Sequence, residues 1–92
     1  MNILQTPTFK KQIKKLHKNQ KNDLDQAVKK IVDDPYIGSM KKGDLRGIQV
    51  YKFKMIDQLT LLAYEFHEDQ LQLILLALGS HENFYRDLKR QK

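Results

Sequence analysis

Apolar residues recur along this chain at two different periods, and the change from one to the other organises everything else. Ile3-Leu4, between Met1 and Gln5, reads as a short first strand. Thr6-Pro7 then offers a hydroxyl N-cap followed by proline at the first helical position. Phe9, Ile13 and Leu16 follow at helical spacing, with Lys10, Lys11, Lys14, Lys15 and Lys18 on the remaining surface, which predicts an amphipathic helix with one apolar stripe on a basic rod. After the polar stretch Asn19-Gln20-Lys21-Asn22, read as a break, Leu24, Ala27, Val28 and Ile31 fit the i, i+3, i+4, i+7 template of a second helix ending at Asp34-Pro35. Asp23 and Asp25 near its start suit the helix dipole. Two amphipathic helices joined by so short a connection form an antiparallel hairpin whose shared apolar face needs something flat to cover.

Pro35, Gly38, Gly43 and Gly47 crowd residues 35–47, which marks a loop within one domain. Beyond it the period falls to two. From Ile48 to Met55, Tyr51, Phe53 and Met55 alternate with Ile48, Val50, Lys52 and Lys54, so the two sets occupy opposite faces of a strand. Leu59 to Phe66 and Leu71 to Leu78 are nearly continuous apolar runs separated by His67-Glu68-Asp69-Gln70, and they predict two further strands in a meander. Runs of this kind are buried on both faces. The helical hairpin therefore covers one face, and something else shields part of the other. Gly79-Ser80 closes the last strand, with Ser80 able to cap a terminal helix that carries Phe84 and Leu88 on one side. The expected fold is α+β: an N-terminal strand and two-helix hairpin packed on a mainly antiparallel sheet of about four strands, with a short C-terminal helix. Residues 1–92 make a single domain, since a chain of 92 residues has little room for a second core.

Composition narrows the setting. The chain has no cysteine, which excludes a disulfide framework and thiolate zinc sites and fits a reducing cytoplasm. It has no apolar run of membrane-spanning length and no secretory pattern at its start, so no membrane association is expected. The net charge of +6 is uneven: residues 1–42 hold ten lysines against four acids, whereas residues 43–92 carry seven basic and seven acidic side chains. Such asymmetry points to a polyanionic partner, nucleic acid or an acidic protein segment, although a solvated helix face explains any single lysine equally well.

Candidate chemistry is sparse. The sequence lacks HExxH, Walker, GxGxxG and GxSxG motifs, and His17, His67 and His81 have no metal-like spacing with carboxylates. His17 and His67 read as solvent-facing. His81 lies just after a strand end in the first turn of a helix, and Tyr85 one turn later shares its face. An imidazole titrating near neutrality suits proton transfer, and an aromatic ring beside it suits stacking on an unpaired base. The competing account is that His81 helps cap the helix and Tyr85 packs on the sheet. Lys52 and Lys54 side by side on one strand face suit a phosphate, unless that face is merely solvated.

The order of elements, together with Gly79-Ser80-His81-Glu82-Asn83-Phe84-Tyr85-Arg86-Asp87-Leu88, resembles the RelE/ParE toxin superfamily of bacterial type II toxin-antitoxin systems over nearly the whole chain. Leu45-Arg46-Gly47 is similar to the family's leucine-x-glycine turn, and Tyr51-Lys52-Phe53-Lys54 to its basic, aromatic strand. Gly79-Ser80-His81 resembles the end of the YafQ-like branch, whose histidine is catalytic and is assisted by an aromatic residue four positions on; the adjacent Tyr85-Arg86 is similar to a pair that closes many RelE-like sequences. The resemblance implies a toxin that cleaves messenger RNA on the ribosome without a metal or cofactor, and that is held by a cognate antitoxin in a hetero-oligomer. By the same resemblance His81 is the general acid or base and Tyr85 stacks or moves a proton, while Lys52, Lys54, Arg46 and Arg86 meet phosphate and transition-state charge, with Lys41 and Lys42 as further RNA contacts. One departure stands out. RelE-like nucleases usually carry a basic residue in the chain's third strand, within a Tyr-Arg-x-x-Tyr-like stretch, where Thr60-Leu61-Leu62-Ala63-Tyr64 keeps the final tyrosine alone. Two other readings therefore stay open: a ParE-like poison of DNA gyrase, and a basic RNA- or ribosome-binding module without catalysis.

Overall fold

The computed structural model describes residues 1–91, apart from the side chains of residues 81–83 and 91. The chain runs β1 (Asn2–Gln5), α1 (Pro7–Lys14), α2 (Lys18–Asp33), β2 (Ser39–Met40), a 3-10 turn at Gly43–Leu45, β3 (Gln49–Met55), β4 (Gln58–His67), a second 3-10 turn at Glu68–Gln70, β5 (Gln72–Gly79) and α3 (His81–Gln91). The strands form one sheet in the order β1-β5-β4-β3-β2, antiparallel except for β1 against β5. This is the expected α+β layout. The sheet has five strands rather than about four, because Ser39 and Met40 from the glycine-rich loop pair with Val50 and Gln49.

Local chemistry sets the helix starts. Thr6 is extended, and its Oγ1 accepts from the Phe9 N–H at 3.1 Å while Pro7 begins α1. α2 begins earlier than the polar stretch suggested: Asn19 to Asn22 are its first turns, and the break falls at Lys15–His17. Lysine and glutamine sustain a helix well, and the Gln20 side chain accepts from the His17 N–H at 2.8 Å, so His17 is the N-cap of α2 rather than part of the first helix.

The sheet has two differently covered faces. On one, Leu62 and Tyr64 of β4 and Leu73 and Leu75 of β5 pack beneath Phe9, Leu24 and Ile31 of the helical hairpin, with Tyr51, Phe53 and Met55 half-buried beside them. On the other, Val50, Leu61, Ala63 and Ala77 meet Leu45, Ile48, and Phe84 and Leu88 of α3. The shield anticipated for the second face is thus α3. A register shift between Ala63 and Tyr64 on β4 pairs them with Ala77 and Leu75, leaving Leu76 of β5 as an extra residue.

Tyr64 ties the loop to the sheet. Its hydroxyl donates to Pro35 O at 2.7 Å and accepts from the Gly38 N–H at 2.9 Å and from Gln49 Nε2 at 3.2 Å. Gln49, itself buried, also donates to Pro35 O and Gly38 O. Burial, with the nearby Asp34 charge adding to it, raises the phenol above its ordinary pKa of 10.0, so the hydroxyl keeps its donor proton at neutral pH. No helix among the described residues is long and apolar enough to cross a membrane.

Candidate functional site

α3 covers its face of the sheet only in part. Lys52 stands opposite Leu61, which stands opposite Gly79; one pair further along, Lys54 stands opposite Leu59. Leu61 is fully buried, whereas Leu59 is 50% exposed, so the cover ends between those two rows. Lys52 and Lys54 are both exposed at this open end. Residues two apart on a strand are about 7 Å from each other, so the two lysines leave the same face as neighbours.

The same row leads to the start of α3. Strand spacing puts the Gly79 backbone about 10 Å across the sheet from that of Lys52. Ser80 alone separates β5 from α3, which begins at His81; the His81 side chain lies outside the described residues. Gly79 makes so tight a return possible: a Cβ there would sit 3.1 Å from Cδ1 of Phe84, whose ring folds back over the strand end. α3 therefore turns back at once from the end of β5 and packs on its face of the sheet through Phe84 and Leu88.

Tyr85 is half-buried against the second cluster, edge-on to Phe84 with centroids 5.3 Å apart, and Lys41 Nζ sits 5.3 Å from its ring centroid. The tyrosine thus packs on the sheet and still presents a ring to a cation. In the turn beside it Leu45 is buried, Gly47 has φ +91, and exposed Lys42 and Arg46 bracket the 3-10 turn. An ion pair between Lys89 and Asp44 at 4.0 Å also links α3 to this turn, but both partners are exposed and it adds little.

The candidate residues accordingly fall into groups. Lys52 and Lys54 share the open end of the sheet with the start of α3. Lys41 joins Tyr85, close to the turn that carries Lys42 and Arg46. Arg86 belongs to neither, because at about 100° per residue it lies roughly 200° from both Phe84 and Leu88 and is turned away from the sheet. Tyr64 is on the hairpin face, its hydroxyl already engaged, so the one tyrosine kept from the family's third-strand pattern is a structural residue here. His67 pairs with Glu65 at 3.0 Å on β4, and no group of three or more His, Asp or Glu among the described residues could hold a metal ion. Nothing in the sequence singles out Gln12, half-buried on α1, yet its Oε1 accepts from the Leu78 N–H at 2.7 Å, 66 residues away.

A model of the ParE-like toxin of type II bacterial toxin-antitoxin systems matches residues 3–89. The chain belongs to this family. Solved toxins share its fold. A chain of the intact E. coli RelBE toxin-antitoxin complex superposes with a TM-score of 0.70 at 17% identity, covering 88% of this chain and 96% of that one. A free mutant form of the E. coli toxin RelE gives 0.75 at 14% identity over 98% and 95% of the two chains. The YoeB/ParE toxin from Agrobacterium tumefaciens gives 0.70 at 12% identity over 88% and 99%. No curated protein sequence matches the chain. The protein is thus a type II toxin with the RelE/ParE fold, and its candidate site lies where α3 leaves the sheet face uncovered.

Proposed function

We propose that this toxin is a ribosome-dependent messenger RNA endonuclease whose working surface is the open end of the α3 face. The observation that carries the reading is the pair Lys52 and Lys54, exposed on that face and in register, through Leu61, with the strand end from which α3 begins. In the reaction a ribose 2′-hydroxyl attacks the adjacent phosphorus and the bond to the 5′-oxygen breaks, leaving a cyclic phosphate and a 5′-hydroxyl. One group takes the 2′-proton and another gives a proton to the leaving oxygen. His81 serves as general acid or base, Tyr85 stacks on a base or carries the second proton transfer, and Lys52 and Lys54 meet the charge on phosphate. Lys41, Lys42 and Arg46 extend the cationic track toward the turn; Arg86, on the far side of α3, contacts RNA only at the periphery. The partners are the ribosome with its message and a cognate antitoxin, an acidic segment that folds on binding and holds the toxin in a hetero-oligomer. The likeness to the chain from the RelBE complex and the lysine surplus of residues 1–42 support that partner.

One observation favours a second reading, poisoning of DNA gyrase. β4 brings Leu61, not a cation, between Lys52 and Gly79, so the charge that RNA-cleaving relatives are expected to carry there is absent. A defined message translated in vitro with the purified toxin, its ends mapped by primer extension, separates the two readings when a gyrase supercoiling assay runs alongside. Under the nuclease reading new ribosome-dependent ends appear, and His81→Ala lowers the cleavage rate by about 10²–10⁴-fold without lowering the melting temperature. Intact message with blocked supercoiling assigns the gyrase reading.

A further inference from the structure

β5 outlasts its outer neighbour. β1 pairs with it only from Asn2 opposite Gln72 to Gln5 opposite Leu75, so residues 76–79 have no strand along their outer edge. Thr6 and the Gln12 side chain of α1 complete the ladder instead. The Thr6 N–H donates to Leu75 O at 3.1 Å, the Thr6 hydroxyl donates to Leu76 O at 2.7 Å, and Gln12 Oε1 accepts from the Leu78 N–H at 2.7 Å. The inner edge is interrupted where this stretch begins, because the register shift leaves Leu76 without an opposite residue on β4, and regular pairing resumes at Ala77. A strand end with a bulge on one side and no strand on the other frays unless something holds it. Three residues past Leu78 the chain reaches His81.

We propose that Gln12 is a positioning residue for the site. Its amide oxygen fixes the Leu78 N–H, and with it the Gly79-Ser80 joint from which α3 starts, so that the helical hairpin sets where His81 and Tyr85 stand relative to Lys52. A buried backbone N–H needs an acceptor, and at this point glutamine supplies the one that a neighbouring strand would have given. Hydrophobic packing of α1 does not depend on this oxygen, since Phe9 and Ile13 provide it. The proposal rests on the nuclease reading for its catalytic consequence, but not for the geometry of the joint.

The test uses the full chain with Gln12→Leu, which fills the space without an acceptor, and Gln12→Glu, which keeps one. Amide exchange and single-turnover cleavage of message on ribosomes are measured on the same preparations. In Gln12→Leu the Leu78 amide exchanges about tenfold faster or more, while the Leu62 and Ala63 amides keep their protection. Its cleavage rate falls about ten- to a hundredfold at an unchanged half-saturating ribosome concentration, as expected when groups are misplaced rather than lost. Gln12→Glu returns both quantities toward wild type. Unchanged Leu78 exchange and cleavage in Gln12→Leu overturn the proposal. So does loss of protection across the whole sheet, or equal damage from leucine and glutamate, either of which makes Gln12 a general stability residue. A wild-type protein that cuts no message refutes the nuclease reading separately; Leu78 exchange then still decides whether Gln12 holds the joint.

Discussion

The two faces of one sheet have been put to different uses. Beneath the helical hairpin, Leu62, Tyr64 and Leu73 are all fully buried, and β3 adds the half-buried Tyr51, Phe53 and Met55. Beneath α3 the cover stops abruptly: Leu61 is fully buried, Leu59 two residues away is half exposed, and β3 contributes Lys52 and Lys54. The cause is the amount of helix available. α1 and α2 supply 8 and 16 residues to one face, whereas α3 supplies 11 to the other. Each face buries its own apolar cluster, but the lysine pair of β3 stands on the open one, where ammonium groups reach water without losing hydration.

That contrast can be broken most severely from the closed face. Leu62→Ala, a large-to-small change at a fully buried position, lowers unfolding free energy by about 2–5 kcal/mol, whereas Leu59→Ala at the open end changes it by less than about 0.5 kcal/mol; urea denaturation of the two proteins side by side measures the difference. Tyr64→Phe keeps the ring but orphans the Gly38 N–H, because Pro35 O retains Gln49 as a donor. It costs about 1–3 kcal/mol, and wild-type-like stability in thermal melts refutes the role given to this hydroxyl. A gain is available at the β3–β4 turn, where Ile56 and Asp57 adopt φ of +49 and +64. A β-branched residue is strained there, so Ile56→Asn, with the Ile56 N–H still donating to the Asp23 carboxylate, raises stability by about 1 kcal/mol. The smallest effect on stability comes from Lys52→Ala with Lys54→Ala, within about 0.5 kcal/mol of wild type. The same pair shows its effect in binding: each lost phosphate contact lowers the log-log salt slope for RNA by about 0.7–0.9, and an unchanged slope returns both lysines to the status of a solvated face.

Much of this was legible from residue spacing, and what was not has identifiable causes. The stripes Phe9-Ile13 and Leu24-Ala27-Ile31, and the alternation through β3, are local periodic signals that survive folding intact. Polar residues hid the start of α2, since Asn19-Gln20-Lys21-Asn22 carries no apolar periodicity although it is helical. β2 is two residues long and exists only because β3 lies beside it. Of the candidate site, the shared face of Lys52 and Lys54 followed from alternation alone, and the outward direction of Arg86 could have been read from its spacing to Phe84 and Leu88. The contacts of Gln12 with Leu78 and of Asp23 with Ile56 join residues far apart in sequence, so no local pattern announces them.

The surface proposed to act on RNA is the open basic end of the α3 face. The most direct test is to translate a defined message with wild-type toxin and with the Lys52→Ala, Lys54→Ala double variant, at equal folded concentration verified by melting, and to map the message ends. New ribosome-dependent ends with wild type, reduced at least about tenfold with the double variant, are the predicted result. Cleavage by the double variant at the wild-type rate and at the wild-type positions contradicts it.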